Sequence, residues 1–229
     1  MRSDFQIGPL FVPNRPRSIR LLKIGFILLS LYMVILLLET RFLITAYDPL
    51  ITDLLQNNLP RLVDIPFSFF SLFGSFEITT LLVFLVMVFV FTKEKVVLWS
   101  MGFFVFFHIF EIIGKIYLFH PGPPLEYFRY SLPFHISTVY IQTNYAFPSG
   151  HVGRTLFLTA IAIFLINRYI RNSLVRRLLS LILITVVILM AISRIYLGEH
   201  WTSDVLGGIF LGTAMGVFTL VYYPRKDYV

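Results

Sequence analysis

Apolar residues run along this chain in blocks long enough to cross a bilayer, separated by short polar clusters. A helix of about 20 apolar residues spans the hydrocarbon core. The pattern predicts six spans, from about Ile24 to Leu38, Phe67 to Phe91, Val96 to Phe119, Gly150 to Ile166, Leu178 to Leu197 and Ser203 to Tyr223. The first resembles a signal-peptide core in length. No small-residue cleavage site follows, however, and the chain continues through Glu39 and Arg41, so it is read as an uncleaved span. Before it, residues 1–23 form a basic arm in which Pro13 and Pro16 argue against a continuous helix before Ser18. Residues 40–65 mix Asp48, Asp53, Arg61 and Asp64 with Leu and Ile, which suits an amphipathic segment lying on the membrane surface as a lid. Residues 120–148 form a second long connection, rich in Pro and Tyr. Gly208, Gly212 and Gly216 recur at every fourth position, which lets another helix come close, either within the bundle or across a homodimer seam.

Composition sharpens this into a class. With 57% hydrophobic and 14% charged residues the chain reads as an all-α, polytopic membrane protein, a single six-span domain over residues 1–229. The aromatic share of 17%, with 25 Phe, suits lipid-facing and packing surfaces and names no ligand. A formal charge of +7 raises nucleic acid as a partner, but the basic residues sit between the apolar blocks, as expected of loops facing anionic lipid, and nucleic acid is set aside. There is no cysteine, so disulfides and thiolate chemistry are excluded, and a zinc site would need His and carboxylates alone.

Charge also orients the chain. Arg2, Arg15, Arg17, Arg20 and Lys23 in the arm, Lys93 and Lys95 after span two, Arg168, Arg171, Arg176 and Arg177 after span four, and Arg225 and Lys226 in the tail all fall on one side. By the positive-inside rule that side is the cytoplasm, with both termini on it. The connections 40–65 and 120–148 are then extracytoplasmic. Three polar places share the outer face: the end of span three at Lys115, the start of span four, and the turn before span six.

Those places carry candidate chemistry. In SRIYLGEHWTSD, Ser193 to Asp204, Asp204 lies four residues beyond His200, so if a helix has begun by His200 the two share a face. The carboxylate can then hold Nδ1 while Nε2 stays free to attack, with Arg194 near to receive an anion, a pattern of nucleophilic catalysis on a phosphoryl group. A His-Asp pair satisfying itself at a helix start is the bland alternative. At span four stands Pro148-Ser149-Gly150-His151. Ser149 is a good N-cap, and Gly150 leaves its N–H open, so the helix start offers donors and a positive dipole end to an anion. Lys115 and Arg194 add positive charge, or else snorkel to headgroups.

The chain resembles the type-2 phosphatidate phosphatase superfamily of membrane lipid phosphatases. Its signature is Lys, six residues, Arg-Pro; then Pro-Ser-Gly-His; then Ser-Arg, five residues, His, three residues, Asp. Pro148 to His151 complete the second part, and Ser193, Arg194, His200 and Asp204 the third. The first departs: counting from Lys115, Gly122 and Pro123 stand where Arg-Pro is expected. Arg154, Arg129 and His120 are the candidates to replace that arginine, with Arg154 preferred because a helix fixes its direction; pairing with Glu77 or Glu111 is its plainer role. The resemblance implies a cofactor-free and metal-free hydrolysis of a lipid phosphate or diphosphate in the bilayer, at the outer face of a bacterial cytoplasmic membrane. His200 would form a phosphohistidine, Asp204 orient it, and His151 act as acid and then base. Lys115, Ser149, Gly150 and Arg194, with Arg154, would hold the phosphoryl oxygens. A phosphotransferase, or a non-catalytic lipid-binding or transport protein, are the rivals.

Remaining polar residues read as structural. Glu111, four before Lys115, suits an ion pair that holds the lysine. Glu77 and His108 are expected to be satisfied by neighbouring helices, and His135 receives no role. Tyr127, Phe128, Tyr130 and Phe134 suit an interfacial belt or a lipid-tail entrance.

Overall fold

The protein is described by a computed structural model, covering residues 15–41, 43–91, 97–133 and 145–222. Among the described residues eight α-helices follow one another, α1 (Arg15–Thr40), α2 (Asp48–Asn58), α3 (Asp64–Ser71), α4 (Phe76–Phe91), α5 (Val97–Tyr117), α6 (Gly150–Tyr169), α7 (Ser173–Tyr196) and α8 (Thr202–Leu220), and no strand occurs among those residues. The expected His135 and Phe134, the Lys93 to Lys95 turn, Arg2, Arg225 and Lys226 lie outside the described residues.

Five helices, α1, α5, α6, α7 and α8, are long and apolar enough to cross a membrane, and the segments Arg61–Gly74 and Phe76–Val88, which hold α3 and α4, pass the same test only together, as a bent pair with the form of a broken span or a re-entrant loop. The expectation of one straight span from Phe67 needs correction here. A 3₁₀ turn at Leu72–Gly74 ends α3, Ser75 is extended at φ −61 and ψ 154, and the two pieces meet at 48°. Ser75 then starts α4, its carbonyl accepting from the Thr79 amide and, at 2.6 Å, from the Thr79 hydroxyl. The break has a steric use. A Cβ at Gly74 would meet His151 Cδ2 at 2.8 Å, so the bent backbone lies directly against that ring.

The start of α1 also differs from expectation. The helix begins before Ser18, because Pro16 falls in its first turn, where the missing N–H had no partner to lose and the fixed φ already suits a helix.

Burial places α8 at the centre: 67% of its apolar window is enclosed, against 11% for α1. Large apolar side chains such as Phe26, Leu37, Phe84 and Leu181 point outward, which in lipid carries no penalty. Around α8 pack α1, α5 and α6, with a core that includes Tyr32, Phe107, Phe147, Phe157, Leu211 and Phe218. The α6–α8 contact is backbone against backbone. A methyl group at Gly212 would run into the Gly153 carbonyl, and one at Gly208 into that of Ser149. The four-residue glycine spacing is thus occupied by α6 of the same chain.

Helix α2 is amphipathic in the inverted sense appropriate to lipid. Leu50 and Leu54 are exposed, while Asp48 and Thr52 are buried on the same face as Gln56, whose Nε2 donates to the carbonyls of Tyr127 and Tyr196 at 2.7 and 2.8 Å. Its polar stripe binds the protein and its apolar stripe faces out.

Candidate active site

The site is built where the starts of α6 and α8 meet. The Ser149 amide donates to the carbonyl of Asp204 at 2.9 Å, so two helix N-termini 55 residues apart in sequence are held side by side. Two N-terminal dipole ends and their unused amides therefore converge on one volume.

In the turn ahead of α8, His200 precedes the helix, which begins at Thr202 with Trp201 as N-cap. The expectation that His200 and Asp204 share a helical face is corrected in its cause but not in its result. Asp204, in the first turn, reaches back: its Oδ2 accepts from the Trp201 amide at 2.9 Å and lies 3.3 Å from His200 Nδ1. Capping the helix and holding the imidazole are one contact pattern. Burial pushes the His200 pKa below the ordinary histidine value, with Asp204 opposing, so the neutral ring is favoured. Gly198, at φ 67, lets the chain turn here, and a side chain there would strike the Tyr127 carbonyl.

On α6, Ser149 occupies the N-cap position without performing the cap. Its hydroxyl makes no cap bond, is fully buried and has no partner among the described residues. A buried hydroxyl left open beside unused amides has the chemistry to donate to an anion. His151 sits in the first turn of α6, half-buried, within electrostatic reach of Arg194, Arg154, His200 and Lys115. Gly150 is required for a concrete reason: a Cβ there would collide with the Glu111 carboxylate.

The cations are held in two groups. Arg194, at the end of α7 and buried, contacts the Glu199 carboxylate and the Ser71 hydroxyl. Lys115, in the last turn of α5, has Nζ 3.1 Å from Glu111 Oε1, the ion pair anticipated from their spacing. Arg154 turns the same way: Nη1 lies 3.1 and 3.0 Å from the two Glu111 oxygens and Nη2 donates to the Gly74 carbonyl at 3.1 Å. Of the residues considered as replacements for the arginine absent at Gly122, Arg154 is therefore engaged by Glu111 and Gly74, and Arg129 donates to the Tyr196 hydroxyl at 3.0 Å. His120 lies between two carboxylates, 2.8 Å from Glu39 Oε2 and 3.3 Å from Asp204 Oδ1. His108 also meets Glu111, at 3.0 Å.

Sequence reasoning missed Glu39, Asp48, Ser71 and Glu199. Asp48 reaches from α2 to α8, accepting from the Ser203 amide at 2.9 Å and the Ser203 hydroxyl at 2.6 Å, and burial pushes its pKa up to about 6 despite those bonds. The signal for Glu39 was present: an ionisable group closing an apolar span is a functional candidate by default.

Residues 93–228 match the family model described as the PAP2 superfamily. A phosphatidylglycerophosphatase B of Bacillus subtilis (strain 168) is 36% identical over 72 residues, which are 31% of this chain and 36% of that protein, so the match spans about a third of the relative's length. The crystal structure of a transmembrane PAP2-type phosphatidylglycerolphosphate phosphatase from Bacillus subtilis superposes with a TM-score of 0.66 at 22% identity, covering 85% of this chain and 93% of that one. That of Aquifex aeolicus LpxE gives 0.49 at 20% identity, over 76% of this chain and 94% of that one.

Proposed function

Because this chain belongs to the PAP2 superfamily, we propose that it is an integral membrane phosphatase that hydrolyses a lipid monophosphate or diphosphate through a phosphohistidine on His200. The observation that carries the reading is the junction of the two helix starts. The His200–Asp204 pair sits at 3.3 Å and the Asp204 carbonyl is bonded to Ser149, so nucleophile and anion-binding amides belong to one frame.

The chemistry follows from those positions. Nε2 of His200 attacks phosphorus while the bond to the lipid oxygen breaks, and Asp204 stabilises the positive charge that develops on the ring. His151 gives its proton to the departing oxygen, which belongs to the lipid alcohol when a monophosphate reacts and to the lipid phosphate when a diphosphate reacts. It then takes a proton from water, which attacks the phosphohistidine, breaks the P–N bond and releases inorganic phosphate. The Ser149 hydroxyl, the Gly150 amide, Lys115 and Arg194 stabilise charge on the phosphoryl oxygens. Arg194 and Lys115 must loosen from Glu199 and Glu111 to do so, which an arriving phosphate favours by offering the stronger anion. The basic arm and connections argue that the site faces the outer leaflet. Phosphatidylglycerol phosphate is the first substrate to assay, since the Bacillus subtilis relative is named for it.

The test is phosphate release from phosphatidate and phosphatidylglycerol phosphate in detergent micelles, with chelator present, for wild type and His200→Ala. Turnover by wild type and none detectable for the variant supports the reading. Equal turnover by the two removes the nucleophile.

A further inference from the structure

Asp204 has two histidines, and the mechanism above uses one. Its Oδ2 serves Trp201 and His200, while Oδ1 faces Nε2 of His120 at 3.3 Å. On its far side His120 has Nδ1 2.8 Å from Oε2 of Glu39, at the end of α1. Glu39 and Asp204 are both 0% exposed and His120 1%. Acid and base thus alternate through the interior over two helices and two loops, Glu39 on α1, His120 after α5, Asp204 on α8 and His200 in the turn before it, and water reaches none of the inner members. We infer that His120 and Glu39 are positioning residues for the reaction, holding Asp204 from behind and setting the charge that His200 feels. This rests on the reading of His200 as nucleophile.

Charge counting gives the string its purpose. A buried imidazole between two carboxylates carries a proton: burial alone would depress the His120 pKa, but Asp204 and Glu39 outweigh it and push it up to about 10. With His120 cationic and both acids ionised, the inner three members carry one net negative charge. That charge is what a ring turning positive during attack requires. Without Glu39, the His120 cation would cancel Asp204 and leave His200 unsupported. Without His120, two buried carboxylates would face each other with nothing between them.

Other charges face these rings and are common to every variant below. Asp48 from α2 approaches His120 through Ser203, whose hydroxyl lies 3.4 Å from Nε2. Arg194 from α7, Lys115 from α5 and His151 from α6 act on His200. Glu39, Asp48 and His120 also bring ligand atoms within 4.8 Å of one another, close enough for a cation. The 2.8 Å His120–Glu39 separation is instead that of a charge-assisted hydrogen bond, since tetrahedral zinc with bonds of about 2.0–2.1 Å holds its ligands roughly 3.3 Å apart.

The experiment compares wild type, His120→Gln, Glu39→Gln and His200→Ala in phosphate release from micellar phosphatidate across pH, with thermal melting of each protein. In His120→Gln, kcat falls about 10–100-fold, as for a partner that orients the group contacting the reacting ring, with KM within about twofold. Losing a cation raises the His200 pKa, so the acid limb of the rate profile moves to higher pH. Losing an anion does the reverse, so Glu39→Gln moves it to lower pH. A purely structural role would not move the two limbs in opposite directions. Melting supplies an independent reading. The stabilisation from protonated His120 is complete below about pH 6.5, its unfolded value, and fades as pH rises through about 10; His120→Gln lacks that alkaline decline.

Wild-type kcat and an unmoved acid limb in His120→Gln, with His200→Ala inactive, overturn the inference and leave the phosphatase reading standing. Activity in His200→Ala overturns both. If His120→Gln does not melt cooperatively, the isosteric Glu39→Gln decides by the direction of its limb. Activity lost in chelator and restored by zinc also overturns the inference, in favour of a cation held by Glu39, Asp48 and His120.

Discussion

Glu111 on α5 and Asp204 on α8 are both buried carboxylates beside the start of α6, yet their neighbours differ in kind. Glu111 meets Arg154, Lys115 and His108 at 3.0–3.1 Å, whereas Asp204 meets His200, His120 and a backbone amide. Arginine and lysine keep their protons at neutral pH, so the first acid assembles fixed positive charge beside the start of α6. Imidazoles are the side chains whose protons respond to their neighbours, so on the proposed reading the second acid sets the charge beside His200. On that reading the same residue type is scaffold on one flank and chemistry on the other, and its neighbours decide which.

Substitution on each flank separates the two roles. The largest effect is expected from Asp204→Asn, which keeps the shape but offers His200 the wrong partner; kcat should fall by about 10⁴-fold with the fold intact, measured by turnover beside thermal melting. A drop below tenfold would place Asp204 with Glu111 as a structural acid. Glu111→Gln should act the other way round. Leaving Arg154 buried, and Lys115 half-buried, without their counter-charge costs roughly 3–5 kcal/mol of stability, read as a lowered melting temperature, while kcat of the folded fraction falls by less than about tenfold. The smallest effect concerns protons alone. Burial keeps the His200 pKa below its ordinary value, so the neutral nucleophile persists into mild acid. The acid limb of kcat/KM in wild type should therefore lie below about pH 6.5, and a limb above it would mean that Asp204 outweighs burial.

Much of this flank assignment could be read from one dimension, and the reason differs residue by residue. Lys115 and Glu111 are four apart on one helix, so their pairing is local and spacing suffices. Ser149, Gly150, His151, Arg194, His200 and Asp204 were legible because each sits at a span end, where an ionisable or cap-forming residue stands out against apolar neighbours. Arg154 shows the limit. Its helical direction was anticipated, but whether it would meet phosphate or Glu111 depended on α5, 43 residues away, and its guanidinium bonds Glu111 and the Gly74 carbonyl. Ser149 shows another: its position suits a cap, yet its hydroxyl stays unpartnered because the cap geometry is not formed. His120 was legible only as a stray cation.

Hydropathy and periodicity along the chain determined that this is an all-helical membrane protein, and where most spans begin, because a bilayer imposes helix length and apolarity on every segment that crosses it. The motif residues stood out by their place at span ends and by resemblance to a family signature. Only the tertiary structure decided that the second span breaks at Gly74 to lie against His151, that the α8 glycines are filled by α6, and that Glu39 and His120 stand behind Asp204. These are contacts between residues 55 to 84 positions apart. Their partners are chosen by how helices pack and which buried charges must be matched, and neither is written in the spacing of any one segment.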